Sequence, residues 1–226
     1  MPTSETEKIF TEIYRSNAWL DLESKSGPGS TIFRTRLLRP RLTELVRNLG
    51  IRSLLDVPCG DFNWMRLTDL PSVEYIGADI VPELVSSNAR LHARGGRRFV
   101  QLDMIHDPLP KADLIFCRDG IVHFSYSDIA LALQGMRQSG STYLLTTTFT
   151  AHGRNDDINT GDWRPLNLDI APFSFPPPLL TLADGPRPDG TYPDKVLALY
   201  RIADLPDVTS TLTSSSLEAT SGPSLD

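Results

Sequence analysis

The stretch Leu54-Leu55-Asp56-Val57-Pro58-Cys59-Gly60-Asp61 decides the fold class of this chain. It is a short apolar run that ends in an acid and leads into a turn containing glycine, as the first strand of a nucleotide-binding sheet does. The full dinucleotide pattern Gly-x-Gly-x-x-Gly is absent, because Pro58 stands at its first glycine and Asn63 at its third. Those glycines serve a pyrophosphate held at a helix N-terminus. The stretch therefore favours a ligand that carries adenosine but no phosphate.

Further apolar runs predict the rest of the sheet. They are continuously apolar rather than alternating, as the strands of a parallel sheet covered on both faces must be. Helical patterns separate several of them: an apolar face recurs over residues 38–49, Pro82 can open a helix with Leu84, Val85 and Leu91 inward, and Ser127 can cap the next helix. The predicted strands are 53–57, 73–80, 98–102, 112–118 and 142–149, with a late edge strand at 196–203 and a weaker candidate for its partner at 178–182. This order predicts an α/β fold with one doubly wound, mostly parallel sheet, helices on both faces and an antiparallel edge strand.

Acidic residues end the predicted strands, where ligands of such sheets bind. Asp79 lies 23 residues after Asp56, a spacing that suits an acid accepting hydrogen bonds from ribose hydroxyls. Asp103 closes the third strand and can accept from an adenine amino group, while Ile80 and Met104 can pack on the faces of the ring. A single acid of this kind is usually a helix cap or a turn residue. Several in order, each after an apolar strand, favour a nucleoside site.

The runs LLDVPCGDFNWM, YIGADIVPELV, FVQLDMI and DLIFCRDGIVHFS, in this order, resemble the successive motifs of class I S-adenosylmethionine (SAM)-dependent methyltransferases. The resemblance covers about residues 54–127 and implies SAM as the cofactor. By that resemblance Asp56, Pro58, Gly60 and Asp61 would lie beside the methionine part of SAM, Asp79 would hold the ribose, and Asp103 would meet the adenine. Arg118 and Asp119 would line the donor pocket below the methyl group. Residues 23–30, which include Gly27, with Trp19 and Arg36 on either side, look like the N-terminal cover of a methyltransferase subgroup, or else form an ordinary loop rich in Gly, Ser and Pro.

The acceptor side is predicted from two features that follow the fourth and fifth strands. His123, with Asp119 close by, is the candidate for the base that an alcohol acceptor requires; a histidine merely packed at a helix start is the other interpretation. A long polar segment at about 150–178 has no helical period and is expected to be a binding loop rather than a solvated excursion. Its candidate acceptor-binding residues, suited to a polyhydroxylated molecule, are His152, Arg154, Asn155, Trp163, Arg164 and Asn167.

Composition narrows the function classes. The net charge of -6 disfavours nucleic acid as a partner, since backbone phosphates need clustered basic residues. The two cysteines lie in or beside apolar runs, and no signal peptide, membrane span or metal-binding spacing is present, which predicts a cytoplasmic enzyme without a metal. We expect a helical cover at 1–50, a SAM-binding domain at 51–207 and a disordered tail at 208–226. The expected activity is methyl transfer to a small polar molecule or carbohydrate, preferably to oxygen; an NAD(P)-linked oxidoreductase and a non-catalytic nucleoside-binding module are the alternatives.

Overall fold

The computed structural model describes residues 3–184, 191–209 and 212, which fold around one seven-stranded sheet. The strands are β1 (Ser53–Asp56), β2 (Glu74–Asp79), β3 (Arg97–Gln101), β4 (Leu114–Cys117), β5 (Tyr143–Phe149), β6 (Leu180–Ala183) and β7 (Lys195–Arg201). Their order across the sheet is β3-β2-β1-β4-β5-β7-β6. The first five run parallel, and β7 is antiparallel to both of its neighbours. The late strand that was expected at the edge is β7, and it lies next to the edge strand, which is its partner β6.

Within the described residues, the sheet is accompanied by the helices α1 (Glu5–Ser16), α2 (Leu38–Asn48), α3 (Pro82–His92) and α4 (Tyr126–Gln138). Adjacent strand residues point to opposite faces, and each face packs its own apolar cluster. Leu54 points into the cluster that contains α2 and α3, whereas Leu55 points into the cluster that contains α4. Helices thus cover both faces, and the predicted fold class is confirmed.

Two local predictions about the helices need correction. Helix α4 is capped by Ser125 rather than Ser127, because the Ser125 hydroxyl accepts the amide of Asp128. Leu91, expected to point inward on α3, is 64% exposed, and Asn88 takes the buried place.

The end of the described chain also differs from expectation. Val208 and Leu212 are buried in the cluster on the α4 face, so packing continues past residue 207, where a disordered tail was expected to begin. Residues 210–211 and 213–226 of that tail lie outside the described residues. Within the described ranges, no helix combines the length and apolar character needed to cross a membrane.

Candidate active site

The carboxyl ends of β1, β2 and β3 bring three acids to the wall of one cavity. Asp56 ends β1, Asp79 ends β2, and Asp103 follows β3 by two residues. The parallel register sets Asp56 beside Gly77, so the two strands end at the same edge of the sheet. The cavity encloses about 1020 Å³ including the part open to solvent. Among the predicted cofactor residues, it is lined by Trp19, Asp56, Pro58, Gly60, Asp79, Ile80, Asp103, Met104 and Arg118.

Asp56 and Asp79 are buried carboxyls with different partners. The hydroxyl of Tyr75 donates to Asp56, and burial raises the pKa of Asp56 to about 8. Asp79 accepts the amide of Gly60 at 3.0 Å and that of Val81 at 3.1 Å, and burial raises its pKa to about 6. Both shifts reflect the cost of placing a negative charge in an apolar surrounding.

The turn after β1 is shaped by glycine. Gly60 has a φ of 56°, in the left-handed region, and a Cβ there would lie 2.3 Å from the Ser26 hydroxyl oxygen. That hydroxyl accepts the amide of Asp61 at 2.8 Å, and the Asp61 carboxylate accepts the amide of Lys25 at 2.9 Å. Asp61 therefore lies outside the cavity lining and fastens the N-terminal segment to the turn.

Helix α1 crosses the mouth of the cavity. Thr6, Phe10 and Tyr14, each four residues apart, present one face of the helix to it. At one end the Ser4 hydroxyl donates to Asp103 at 3.2 Å. At the other end Arg15 pairs with Glu83 on α3. The four-residue spacing of Thr6, Phe10 and Tyr14 is visible in the sequence and could have identified α1 as part of the site.

The remaining N-terminal candidates lie in different places. Gly27, with a φ of 87°, packs against Trp19: a Cβ there would lie 3.3 Å from the Trp19 Cβ. Gly27 thus supports a lining residue without lining the cavity itself. Arg36 stacks on Phe33 at 3.9 Å and borders a separate surface depression, so the structure does not bring it to the cavity.

Four charged side chains form a network at the wall of the cavity, where Arg118 and Asp119 are lining residues. Arg118 contacts the carboxylate of Asp184 at 3.0 Å and that of Asp119 at 3.5 Å. Lys195 contacts Asp119 and Asp184, each at 2.7 Å. Arg118 also donates to the carbonyl oxygen of Gly29 at 2.9 Å, which ties the network to the N-terminal segment. Two cations balance two carboxylates, and the cations hold the pKa of Asp119 well below its ordinary value although burial opposes this.

His123 lines the cavity in the turn between β4 and α4. Its Nδ1 lies 2.8 Å from the carbonyl oxygen of Asp162, and its ring packs against Trp19 with centroids 5.3 Å apart. Burial lowers the pKa of His123 below the ordinary histidine value, while the negative charge of Asp119 opposes the shift. The imidazole is therefore held in its neutral form near neutral pH, as a proton acceptor must be.

No protein-family model and no curated protein matches this chain by sequence. Solved structures do match it in shape. A 1,6-didemethyltoxoflavin-N1-methyltransferase of Burkholderia thailandensis, with bound 1,6-didemethyltoxoflavin and S-adenosylhomocysteine, has a TM-score of 0.58 and 16% identity over 86% of each chain. A SAM-dependent methyltransferase of Anabaena variabilis has a TM-score of 0.55 and 13% identity, covering 88% of this chain and 96% of its own. Human N-acetylserotonin methyltransferase in complex with SAM has a TM-score of 0.51 and 17% identity. The match covers 89% of this chain and 60% of the human enzyme.

This chain has the class I methyltransferase fold.

In this class I methyltransferase fold, the loop after β5 carries the residues that were predicted to bind the acceptor. Six candidates, all in the described part of the chain, lie outside the cavity lining: His152, Arg154, Asn155, Trp163, Arg164 and Asn167. Trp163 packs edge-on against Phe149 and Tyr192. Arg154 is exposed and pairs with Asp156 at 2.8 Å.

Two amides of this loop bond to the protein's own backbone. Asn155 donates to the carbonyl oxygens of Asn167 and Ala171, and Asn167 donates to those of Thr150 and His152. Leu166, Leu168, Phe173 and Phe175 are buried in the core. In this class I methyltransferase fold the loop is thus packed rather than solvated, and the geometry gives no support to the acceptor contacts expected of these six residues.

Sequence reasoning missed Lys195 and Asp184. Each stands beside an apolar strand, and a lone charge there is ordinarily a solvated strand end. Only the antiparallel pairing of β6 with β7 places both next to Arg118, far away in the sequence.

Proposed function

We propose that this protein is a methyltransferase that uses SAM to methylate a small polar acceptor, preferably at oxygen. The observation that carries the proposal is the set of Asp56, Asp79 and Asp103, which lie at the carboxyl ends of three neighbouring parallel strands and line one cavity. Two similar structures, the Burkholderia and human enzymes, hold S-adenosylhomocysteine and SAM. A carbohydrate is one acceptor class to test, beside the small molecules that the two enzymes are named for.

The cavity suits a nucleoside ligand that carries positive charge. Asp79 bonds one backbone amide with each oxygen, and a carboxylate has about four acceptor sites, so it retains capacity for ribose hydroxyls. Carboxylates outnumber fixed cations in the lining, which favours a sulfonium and an ammonium group. Asp56, Gly60, Asp79 and Asp103 are the residues that would hold SAM.

SAM, when bound, supplies an electrophilic methyl group on a positively charged sulfur. The protein's part in such a displacement is mainly positioning and exclusion of water. Phe10, Tyr14 and Trp19 cover the cavity with apolar surface. His123 takes the proton of an acceptor hydroxyl at Nε2, because its Nδ1 is committed to the carbonyl of Asp162.

Calorimetry with the purified protein tests the proposal. We expect SAM and S-adenosylhomocysteine to bind and to raise the melting temperature, and NADH to do neither. Binding of NADH without either sulfur nucleoside would establish the oxidoreductase alternative, and no binding of any of the three would also overturn the proposal. Screening phenols, sugars and sugar nucleotides with methyl-labelled SAM, followed by mass spectrometry, then identifies the acceptor and the methylated atom.

A further inference from the structure

Residues 156–164, which we name the collar, wrap around the turn Ile121–His123. The collar ends at Arg164, a residue that is only 6% exposed and makes most of the hydrogen bonds between the collar and the turn. It donates to three carbonyl oxygens in and just after the turn, those of Ile121, Val122 and Phe124, at 3.2, 2.9 and 2.7 Å. Its Nε donates to the carbonyl oxygen of Asp156 at 3.1 Å, within the collar itself. All three nitrogens of the guanidinium thus donate to backbone carbonyl oxygens, in four hydrogen bonds.

The collar also bonds the backbone on both sides of His123. The amide of Gly161 donates to the carbonyl oxygen of His123 at 2.9 Å. The Thr160 hydroxyl accepts the amide of Ser125 at 2.9 Å, and the Asp157 carboxylate accepts that of Tyr126 at 2.7 Å. The amides of Ser125 and Tyr126 lie at the start of α4, where the helix itself offers them no acceptor, so side chains of the collar take that place. Hydrogen bonds from the collar therefore fix the position of His123.

The collar acts on the His123 ring as well. Nδ1 lies 2.8 Å from the carbonyl oxygen of Asp162. A carbonyl oxygen can only accept, so the proton of the neutral imidazole is on Nδ1 and the lone pair is on Nε2. The ring lines the cavity between Trp19 and Phe10, with centroids 5.3 and 6.4 Å away.

We propose that the collar, which ends at Arg164, is a positioning device that holds the His123 proton on Nδ1 and presents Nε2 as the proton acceptor. The role of Nε2 as a base rests on the proposed function, whereas the tautomer does not. The segment that sequence reasoning assigned to the acceptor would then act on the acceptor through His123. Arg164 is accordingly a positioning residue.

Nitrogen-15 NMR of the protein labelled in histidine tests the tautomer without an acceptor. We expect the His123 signals of the unmodified protein to show a protonated Nδ1 and an unprotonated Nε2. Arg164→Lys retains the charge but cannot reach three carbonyls, so we expect it to give a mixture of tautomers and a kcat at least about 10-fold lower, with SAM affinity unchanged. Arg47→Lys, at an exposed arginine on α2 that pairs with Asp69 at 2.7 Å, is the control and should change neither the tautomer nor kcat.

A proton found on Nε2 in the unmodified protein would overturn the proposal, as would an Arg164→Lys variant with unaltered tautomer and kcat. The unmodified protein could instead show only the Nδ1 tautomer, lose it in Arg164→Lys, and yet bind no SAM. That combination would refute the proposed function and leave the positioning role standing.

A second pair of variants decides the matter if Arg164→Lys does not fold. In His123→Asn the amide nitrogen replaces Nδ1 and can still donate to Asp162, whereas in His123→Gln it replaces Nε2. We expect His123→Asn to keep nearly the original melting temperature while kcat falls at least about 100-fold, the usual contribution of a general base. His123→Gln should lose both stability and activity. Equal destabilisation of the two variants, or an active His123→Asn, would contradict the proposal.

Discussion

The backbone amide of Gly60 donates to Oδ2 of Asp79 over 3.0 Å, so the turn after β1 is tied directly to the acid that ends β2. The two groups expected to hold different parts of one ligand are therefore parts of one hydrogen-bonded unit. A change in the carboxylate alters both the contact with the ligand and the shape of the turn.

Asp79→Asn should lower SAM affinity by about 10- to 100-fold at pH 8, where Asp79 is ionised. An amide replaces one acceptor oxygen with a donor, and a bond to a charged group contributes about 1.5–3 kcal/mol. Calorimetry measures the change. The control is Asp113→Asn. Asp113 also accepts two backbone amides, those of Arg52 and Ser53, but it precedes β4 and so lies at the amino ends of the parallel strands, away from the cavity. An equal loss of affinity in both variants would remove Asp79 from the site.

The stability of the ligand-free protein should depend on pH through Asp56. Burial raises its folded pKa to about 8 from an ordinary value of 3.8. Between these values the folded protein binds one proton more than the unfolded chain, so the free energy of unfolding falls as the pH rises. The stabilisation is complete below pH 4 and is lost on passing pH 8. Urea unfolding should show a decline of up to about 1.4 kcal/mol per pH unit relative to Asp56→Asn, and parallel curves for the two proteins would contradict this origin.

Lys195→Met should destabilise the protein by about 3–5 kcal/mol, because it leaves the buried carboxylates of Asp119 and Asp184 with one cation between them. The double variant Lys195→Met with Asp184→Asn restores the charge balance and should be more stable than Lys195→Met alone. Urea unfolding of the four proteins of this double-mutant cycle gives the coupling. Additive losses would show that the two side chains do not interact.

The proposed base predicts an acidic limb in the pH dependence of kcat/KM. Its midpoint should lie below the ordinary histidine pKa, because burial lowers the pKa of His123 and Arg164 and Lys195 lower it further. Asp119 has the opposite effect, so Asp119→Asn should move the limb to still lower pH. Initial rates from pH 4.5 to 8 measure the midpoint. A limb that moves upward would exclude His123 as the titrating group.

The acids that line the cavity could be predicted from the sequence because each is the last residue of its own apolar strand or lies within two residues of its end. Asp56, Asp79 and Asp103 needed only strand ends and a parallel sheet to be placed together. Arg164 was predicted in the wrong environment for a physical reason. A guanidinium that binds a ligand and one that binds backbone carbonyls have the same donors, and only the path of the loop determines which of the two acceptors it meets.

The charge network could not be predicted for a related reason. Arg118 was recognised as a residue of the cavity, but its partner Asp184 lies 66 residues away along the chain. Their contact depends on how β6 and β7 pair after a long loop, and no local pattern specifies that register.

The close approach of Gly60 to Ser26 restricts the order in which this chain can accept mutations. Alanine at position 60 would meet both the Oγ and the Cβ of Ser26, at 2.3 and 3.0 Å, so of the residues at position 26 only glycine removes both contacts. A lineage that first loses the Ser26 side chain removes both contacts, but it also loses the acceptor of the Asp61 amide. Each intermediate sequence is then less stable than its ancestor, so drift at these two positions is blocked by epistasis although neither substitution alters a charge.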